Sequence, residues 1–352
     1  MSGDDHAADV DGWLTPAQQA SIHRQDWLRM LAPRACGGAE MALPDVVRLE
    51  QSIAARDGST GWVVTLCAGA GWFAGFLPTE RARAIMATPN VCIAGSGAPT
   101  GHADRAGNGE VDGYRITGRW DYASGAPMAT HFTLNAVLRE RGEVLLDAAG
   151  KPRIRAFIVP AQHVTLEPTW RSIGLRASAS HSYRIDAAWV PADHGFVIDP
   201  AQATTPGPLY RVPFMSLAFV TLGANLLGMA QHFLALARPL LAARRHPATG
   251  VSMIELPAVA ARLDDADAAI DQVQCDFYAA LDEAWAAVVA GTDCDTPALQ
   301  AVALELVEAC RQAVDTLYPY CGLQAAQGDS DINRVWRDFH TATQHVLLVP
   351  AM

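Results

Sequence analysis

From Leu256 to Val288 the apolar residues of this chain step by three and four without a break, through Val259, Leu263, Ala266, Ile270, Val273, Phe277, Leu281 and Trp285. That is one face of a helix of about nine turns. Leu299, Val302, Leu306, Cys310, Val314 and Leu317 repeat the step. Helices this long, each with one apolar stripe, must bury it against partners of like length. The stretch before them supplies one: between Arg211 and Arg238 there is no Asp, Glu, Lys or Arg. A membrane span is the competing reading. Asn225, Gln231 and His232 interrupt the stretch and no companion span exists, so we read a helix buried inside an oligomer. With a last helix from about Asp331, this makes four long helices, and a four-helix bundle is expected over 206–352.

The period differs upstream. Over 91–205 it falls to two: Tyr183, Ile185, Ala187 and Trp189 alternate with Ser182, Arg184, Asp186 and Ala188. Phe132–Leu138 and Ile154–Val159 also read as strands, with turns expected at Asp112-Gly113 and Gly142. A small antiparallel barrel or sandwich is the expectation. Over 1–90 the helical period returns, at Leu14–Leu31, Leu43–Ile53 and a buried apolar stretch from Trp62 to Phe76. Pro33 to Gly38 and Asp57-Gly58-Ser59 break it, and Pro78 starts a short helix with Glu80 in its first turn. The first dozen residues, rich in Asp, Ala and Gly, read as a loose tail. The whole is α+β: helices, then strands, then helices.

Half of the 352 residues are hydrophobic and only 18% are charged, so the chain can bury a large core and subunit contacts are expected to cover part of its surface. The formal charge of −11 argues against a general nucleic-acid binder. The seven cysteines form no C-x-x-C pair, which argues against a zinc site or disulfide framework and for a reducing cytoplasm. The acidic N-terminus lacks the apolar core of a signal peptide. No metal site, membrane contact or nucleic-acid contact is expected. Dinucleotide, P-loop, nucleophile-elbow and metalloprotease motifs are absent.

The order of regions, and five segments in sequence, resemble the acyl-CoA dehydrogenase superfamily. Leu31–Gly38 (LAPRACGG) is similar to its helix break, and Asp57–Trp62 (DGSTGW) to a helix start in its flavin-dependent monooxygenase branch. Gly113–Gly125 (GYRITGRWDYASG) and Trp170–Ser182 (WRSIGLRASASHS), followed by Val190-Pro191, resemble that branch's two flavin-side strands. Arg334–His345 (RVWRDFHTATQH) resembles its final active-site helix. The resemblance implies a homotetramer with flavin between the β region and the bundle. It leaves two chemistries open. Dehydrogenases of this fold use a glutamate, commonly in the last helical segment, to remove the α-proton of an acyl thioester. The monooxygenases take reduced FMN or FAD from a separate flavin reductase, form a C4a-hydroperoxyflavin, and pass oxygen to a small-molecule substrate. From Asp331 onward there is no glutamate, which favours the monooxygenase. An inactive flavin- or partner-binding member is a further alternative. The segment that helps hold the FAD adenine in dehydrogenases is degenerate at Tyr320–Leu323, which favours a loosely held flavin.

On a helical wheel with Arg334 at zero, Asp338, Thr341 and His345 fall at about 40°, 340° and 20°. Such a stripe is either a solvated face or one wall of a site. An imidazole titrates near neutral pH and suits proton transfer during oxygen chemistry. His345 is therefore the first catalytic candidate, expected as an imidazolium favoured by helix carbonyls and Asp338. His102 is the second, after the loop Ala98–Gly101 that in the family lies by the isoalloxazine, although an exposed loop histidine would look the same. Ser124, at a strand end, is expected at the flavin edge or in an ordinary turn. Of Ser178 and Ser180, which share a strand face by spacing, one is expected at flavin N5. The resemblance adds Tyr122, Arg176 and Arg334 to the flavin-binding set. Trp120 and Trp170 suit either the flavin or the core.

Overall fold

The computed structural model describes residues 3–107 and 112–349. Five helices lead: α1 (Gly3–Asp11), α2 (Pro16–Arg24), α3 (Leu43–Ala54), α4 (Gly58–Trp72) and α5 (Thr79–Met86). Each boundary has a local cause. Thr15 forms a capping box with Gln18, Pro44 sits in the first turn of α3, and Asp57 caps α4 through the Thr60 N–H at 2.7 Å. In α4, thirteen of fifteen residues are buried, because apolar and small residues surround it on every side.

The first residues correct the expectation of a loose tail. They form α1, with Ala8 and Asp9 buried. Asp9 accepts from both Arg337 Nη atoms, at 3.3 and 2.8 Å. An isolated nine-residue helix is marginal in water, so α1 owes its order to this docking.

Eight strands follow: β1 (Ile93–Gly107), β2 (Asp112–Ala123), β3 (His131–Glu140), β4 (Glu143–Val144), β5 (Ile154–Pro160), β6 (Thr165–Glu167), β7 (His181–Pro191) and β8 (Gly195–Phe196). They form one sheet in the order β6-β7-β2-β1-β3-β5-β8, with β4 beside β3. The sheet is not wholly antiparallel as expected: β1 and β3 pair in parallel. The segment Ala98–Gly101 is not a loop but part of β1, where the register shifts between Ser96 and Gly101. Asp112 and Gly113 are paired in β2, opposite Gly107 and Ala106. The turn expected there lies outside the described residues. Arg141 and Gly142, both at positive φ, make the tight turn from β3 to β4.

The C-terminal helices are α6 (Phe214–Ala243), α7 (Pro257–Ala290), α8 (Thr296–Cys321) and α9 (Asp331–Ala342). Three are long; α9 has only twelve residues. On α7 the buried set Val259, Leu263, Ala266, Ile270, Phe277, Leu281 and Val288 follows the sequence stripe. The uncharged stretch of α6, up to Ala237, is buried by this chain's own elements, without need of other subunits. Its Gly228 lets the Gln51 carbonyl approach: a Cβ there would stand 2.3 Å from that oxygen.

Candidate active site

Three chain segments bring the flavin-side candidates together. At the end of β2 the chain turns at Tyr122, φ +66°, and buries Ser124. Before β7 it turns at Leu175 and Ala179, φ +48° and +45°, and buries Ser178 and Ser180. Left-handed non-glycine residues are costly and cluster at functional sites. Ser178 and Ser180 are not on a strand as expected: Arg176–Ser178 is a single helical turn, and β7 starts only at His181. They nevertheless face one another. Ser180 Oγ lies 2.7 Å from Ser178 Oγ and 2.8 Å from Ser124 Oγ. The third segment is α4, whose Trp62 indole N–H donates to Ser124 Oγ at 3.1 Å. Each of the three serine hydroxyls thereby has at least one hydrogen-bond partner.

The Trp62 ring meets His345 edge-on, with centroids 5.9 Å apart. The structure corrects the placement of His345 in two ways. The helix ends at Ala342, so His345 is on the following turn and off the stripe. Burial lowers its pKa, so it is held neutral rather than as an imidazolium. Its Nδ1 accepts from the Leu347 N–H at 3.3 Å, which places the proton of the neutral ring on Nε2. Arg334 and Asp338 do share a face, but it is buried, not solvated. Arg334 is paired with Asp57 and Asp338 and does not stand free for a cofactor.

Arg176 and His181, which flank Ser178 and Ser180 in the chain, line a cleft of about 520 Å³. Trp170, Arg171, Ser172, Arg176 and His181 line one side, and Asp11, Gly12 and Trp13 the other. Tyr122, 73% exposed, meets Trp170 edge-on at 6.2 Å. The sequence reading did not single out Trp13, which carries no motif and comes to the cleft only with α1, nor Arg171 and His181, although both lie in the WRSIGLRASASHS segment. It also missed the roles of Asp57 and Trp62, although both lie in the DGSTGW segment. His102 joins none of this. It lies within β1, with Nε2 3.4 Å from Asp104 Oδ2 on the same strand face. Trp120 is core: fully buried, it donates to the Asn135 carbonyl.

The donor set fits a reduced flavin. Two guanidinium groups suit a phosphate, indole and phenol rings suit a flat tricycle, and oriented hydroxyls suit its polar edge. Among the described residues no three His, Cys, Asp or Glu side chains cluster.

Comparison with known proteins agrees. A family model for the acyl-CoA dehydrogenase C-terminal domain matches residues 220–350. Indole-3-acetate monooxygenase of Acinetobacter baumannii is 24% identical over 91% of this chain and 80% of that protein. The oxygenase component of an FADH(2)-dependent resorcinol hydroxylase from a Rhizobium species is 27% identical over 72% of this chain and 62% of its own length. XiaF from a Streptomyces species, solved with FADH2 and glycerol, superposes with a TM-score of 0.87 at 22% identity, covering 97% of this chain and 87% of that one. The fold is therefore that of the acyl-CoA dehydrogenases. By sequence the chain is similar, at 24% and 27% identity, to a protein named as a monooxygenase and to the oxygenase component of an FADH(2)-dependent hydroxylase.

Removing one hydroxyl from the serine chain breaks a buried bond and leaves its neighbour under-satisfied. Ser124→Ala, which also strands the Trp62 indole N–H, is expected to weaken reduced-flavin binding by about 0.5–1.5 kcal/mol, or several-fold in Kd. Titration of tryptophan fluorescence with reduced FMN and FAD measures this. Parental affinity in Ser124→Ala, Ser178→Ala and Ser180→Ala alike would show that the hydroxyls do not contact flavin.

Proposed function

We propose that this chain is the oxygenase component of a two-component flavin-dependent monooxygenase. It takes reduced FMN or FAD from a separate flavin reductase and oxidises a small aromatic substrate. The observations that carry the reading are the meeting of the Ser124–Ser180–Ser178 hydroxyls, Trp62 and His345, and a cationic, aromatic cleft lined by Trp170, Arg171, Arg176 and His181 from the segment that also carries Ser178 and Ser180. The names of the relatives, indole-3-acetate monooxygenase and resorcinol hydroxylase, support an aromatic substrate.

Reduced flavin supplies the electrons that activate oxygen. This chain's residues do the rest. Arg171 and Arg176 would hold the phosphate, Trp170 and Tyr122 the ring system, and the serine hydroxyls its polar edge. Trp62 and the buried segments around it keep water out, which limits loss of oxygen as hydrogen peroxide. His345 presents its Nε2 proton beside Trp62 as a hydrogen-bond donor to the oxygen that becomes negatively charged during transfer. A dehydrogenase would need a carboxylate base here, and the last helical segment has no glutamate.

The test is to mix the protein with chemically reduced FMN or FAD, add oxygen, and follow the flavin spectrum. A delay before oxidised flavin reappears supports the oxygenase. Reduction of bound oxidised flavin on mixing with an acyl-CoA would establish the dehydrogenase instead. His345→Ala should still fold and bind flavin but lose product by roughly 10²–10⁴-fold, with oxygen diverted to hydrogen peroxide. In the parent, product formation should fall on the acid side, because protonation takes Nδ1 from the Leu347 N–H. Product at the parental rate in His345→Ala would make this histidine structural.

Assembly as a homotetramer is part of the proposal. Leu323 and Val346, 82% and 79% exposed, are large apolar side chains left open on the C-terminal region, and subunit contacts would cover them. Light scattering at micromolar concentration should give four chains per particle; a monomer would refute it. Seven free thiols support a cytoplasmic setting.

A further inference from the structure

Arg334 stands where three elements meet. Its Nη1 donates to Asp57 Oδ2 at 2.6 Å and lies 3.8 Å from Asp338 Oδ2. Each carboxylate holds a backbone amide at the root of one of the two segments that wall the serine cluster. Asp57 Oδ1 accepts from the Thr60 N–H, at the start of the helix that carries Trp62. Asp338 Oδ1 accepts from the N–H of left-handed Leu175 at 2.5 Å, just before the turn that carries Arg176 and Ser178. The walls touch this hub directly. A Cβ on Gly174 would lie 2.0 Å from the Arg337 carbonyl oxygen, and one on Gly58 3.2 Å from Asp338 Cβ. Arg337, the next turn's cation, also donates to the Ile173 carbonyl.

We infer that Arg334 is a positioning residue that, through Asp57 and Asp338, holds the Trp62 wall and the Leu175–Ser180 wall in register so that the serine hydroxyls align. A bundle needs no such ion group for stability, since packed apolar residues of similar volume serve as well. What an apolar trio cannot do is orient two backbone amides on the two separate segments that meet at the serine hydroxyls. The inference rests on the flavin reading only for what the cleft holds; the alignment of the walls is a property of the protein alone.

The hub is also sensitive to pH. Burial, and then the Asp57 charge, raise the Asp338 carboxyl to about 7, against the opposing pull of Arg334 and the Leu175 N–H. Asp9 on α1 adds to the rise. Asp331, Asp5 and, from α6, neutral His232 face Arg334. Arg337 holds Asp9. Deprotonating Asp338 strengthens its hold on the Leu175 N–H and on Arg334, so the walls should tighten as pH rises through 7.

The test uses the full chain. Hydrogen exchange of flavin-free parent, Arg334→Lys and Asp338→Asn is followed by mass spectrometry between pH 6 and 8, corrected for intrinsic exchange. Reduced-FMN affinity is measured across the same range. In Arg334→Lys, peptides covering 58–65 and 172–180 should both exchange several-fold faster, while those from α6 and α7 stay parental. Parental affinity should rise through pH 7. In Asp338→Asn it should be about tenfold weaker at pH 8 and flat with pH. Asp338→Asn keeps an acceptor for Leu175 and so decides the matter if Arg334→Lys does not fold. Acceleration of only one wall, uniform acceleration of the whole bundle, or a parental pH profile in Asp338→Asn would overturn the inference. If the parent binds no reduced flavin, the function is wrong, and the exchange data still decide whether Arg334 couples the walls.

Discussion

Glu50→Gln will stabilise the protein at pH 7 and above. Glu50 lies on α3, fully buried, and neither carboxyl oxygen has a hydrogen-bond partner of normal geometry. Burial raises its pKa from 4.5 to about 8, with the Thr65 hydroxyl opposing the rise. The sign follows from which state gives up the proton first. Between pH 4.5 and 8 the unfolded chain has lost it and the folded chain has kept it, so stability falls as pH rises through that window. At pH 7 the penalty is about 3 kcal/mol, since each pKa unit is worth about 1.4 kcal/mol. Glutamine is neutral and of the same shape, so it removes the penalty. Asn225, whose Nδ2 donates to Thr65 and whose Oδ1 lacks a partner, offers an acceptor nearby. Urea denaturation at pH 5 and pH 8 should show near-equal stability at the first and a gain of several kcal/mol at the second. A gain of the same size at both would mean that ionisation is not its source.

Arg334→Met acts in the opposite direction. Removing the guanidinium leaves Asp57 and Asp338 facing each other, both buried. Removing one partner of a buried ion pair costs about 3–5 kcal/mol, because the remaining charge is uncompensated. The loss should be largest at pH 8 and smaller at pH 5. The raised pKa of Asp338 means that the folded protein protonates this carboxyl before the unfolded chain does, so acid relieves the strain. Adding Asp57→Asn and Asp338→Asn should restore much of the loss, as groups in one network are not additive. Denaturation midpoints that match the parent at both pH values would refute the role of this ion group in stability.

The helices were legible because long apolar stripes leave few alternatives. The stripe on α7 maps onto its buried face almost residue for residue. The sheet was less so. Strand period locates β3, β5 and β7, but it says nothing about partners, and the parallel pairing of β1 with β3 joins residues separated by an intervening strand. At the site, a helical wheel assumes that the helix continues. It does so through Asp338 but stops before His345, and the single turn that follows points the imidazole at Trp62 instead. Ser178 and Ser180 were paired by the wrong argument. A left-handed Ala179 brings them face to face, and no propensity predicts that backbone at an alanine. The resemblance put Arg334 in the flavin-binding set; its partner Asp57, 277 residues away, had no sequence signal beyond a helix cap. Ionic partners distant in sequence are fixed by tertiary packing alone.

The bond between Asp9 and Arg337, and that between Leu175 and Asp338, have a consequence for synthesis. A ribosome releases the chain from the N-terminus, and domains fold as they emerge. Helix α1 and the 172–180 turn must therefore wait, without their clasps, until the ninth helix leaves the exit tunnel. The sheet and the earlier helices can form before then, but the cleft cannot. A chain cut short before residue 334 would keep most of its core but lack both clasps, so under the proposed function an unfinished or truncated copy is expected to bind reduced flavin poorly and to waste little of it as peroxide.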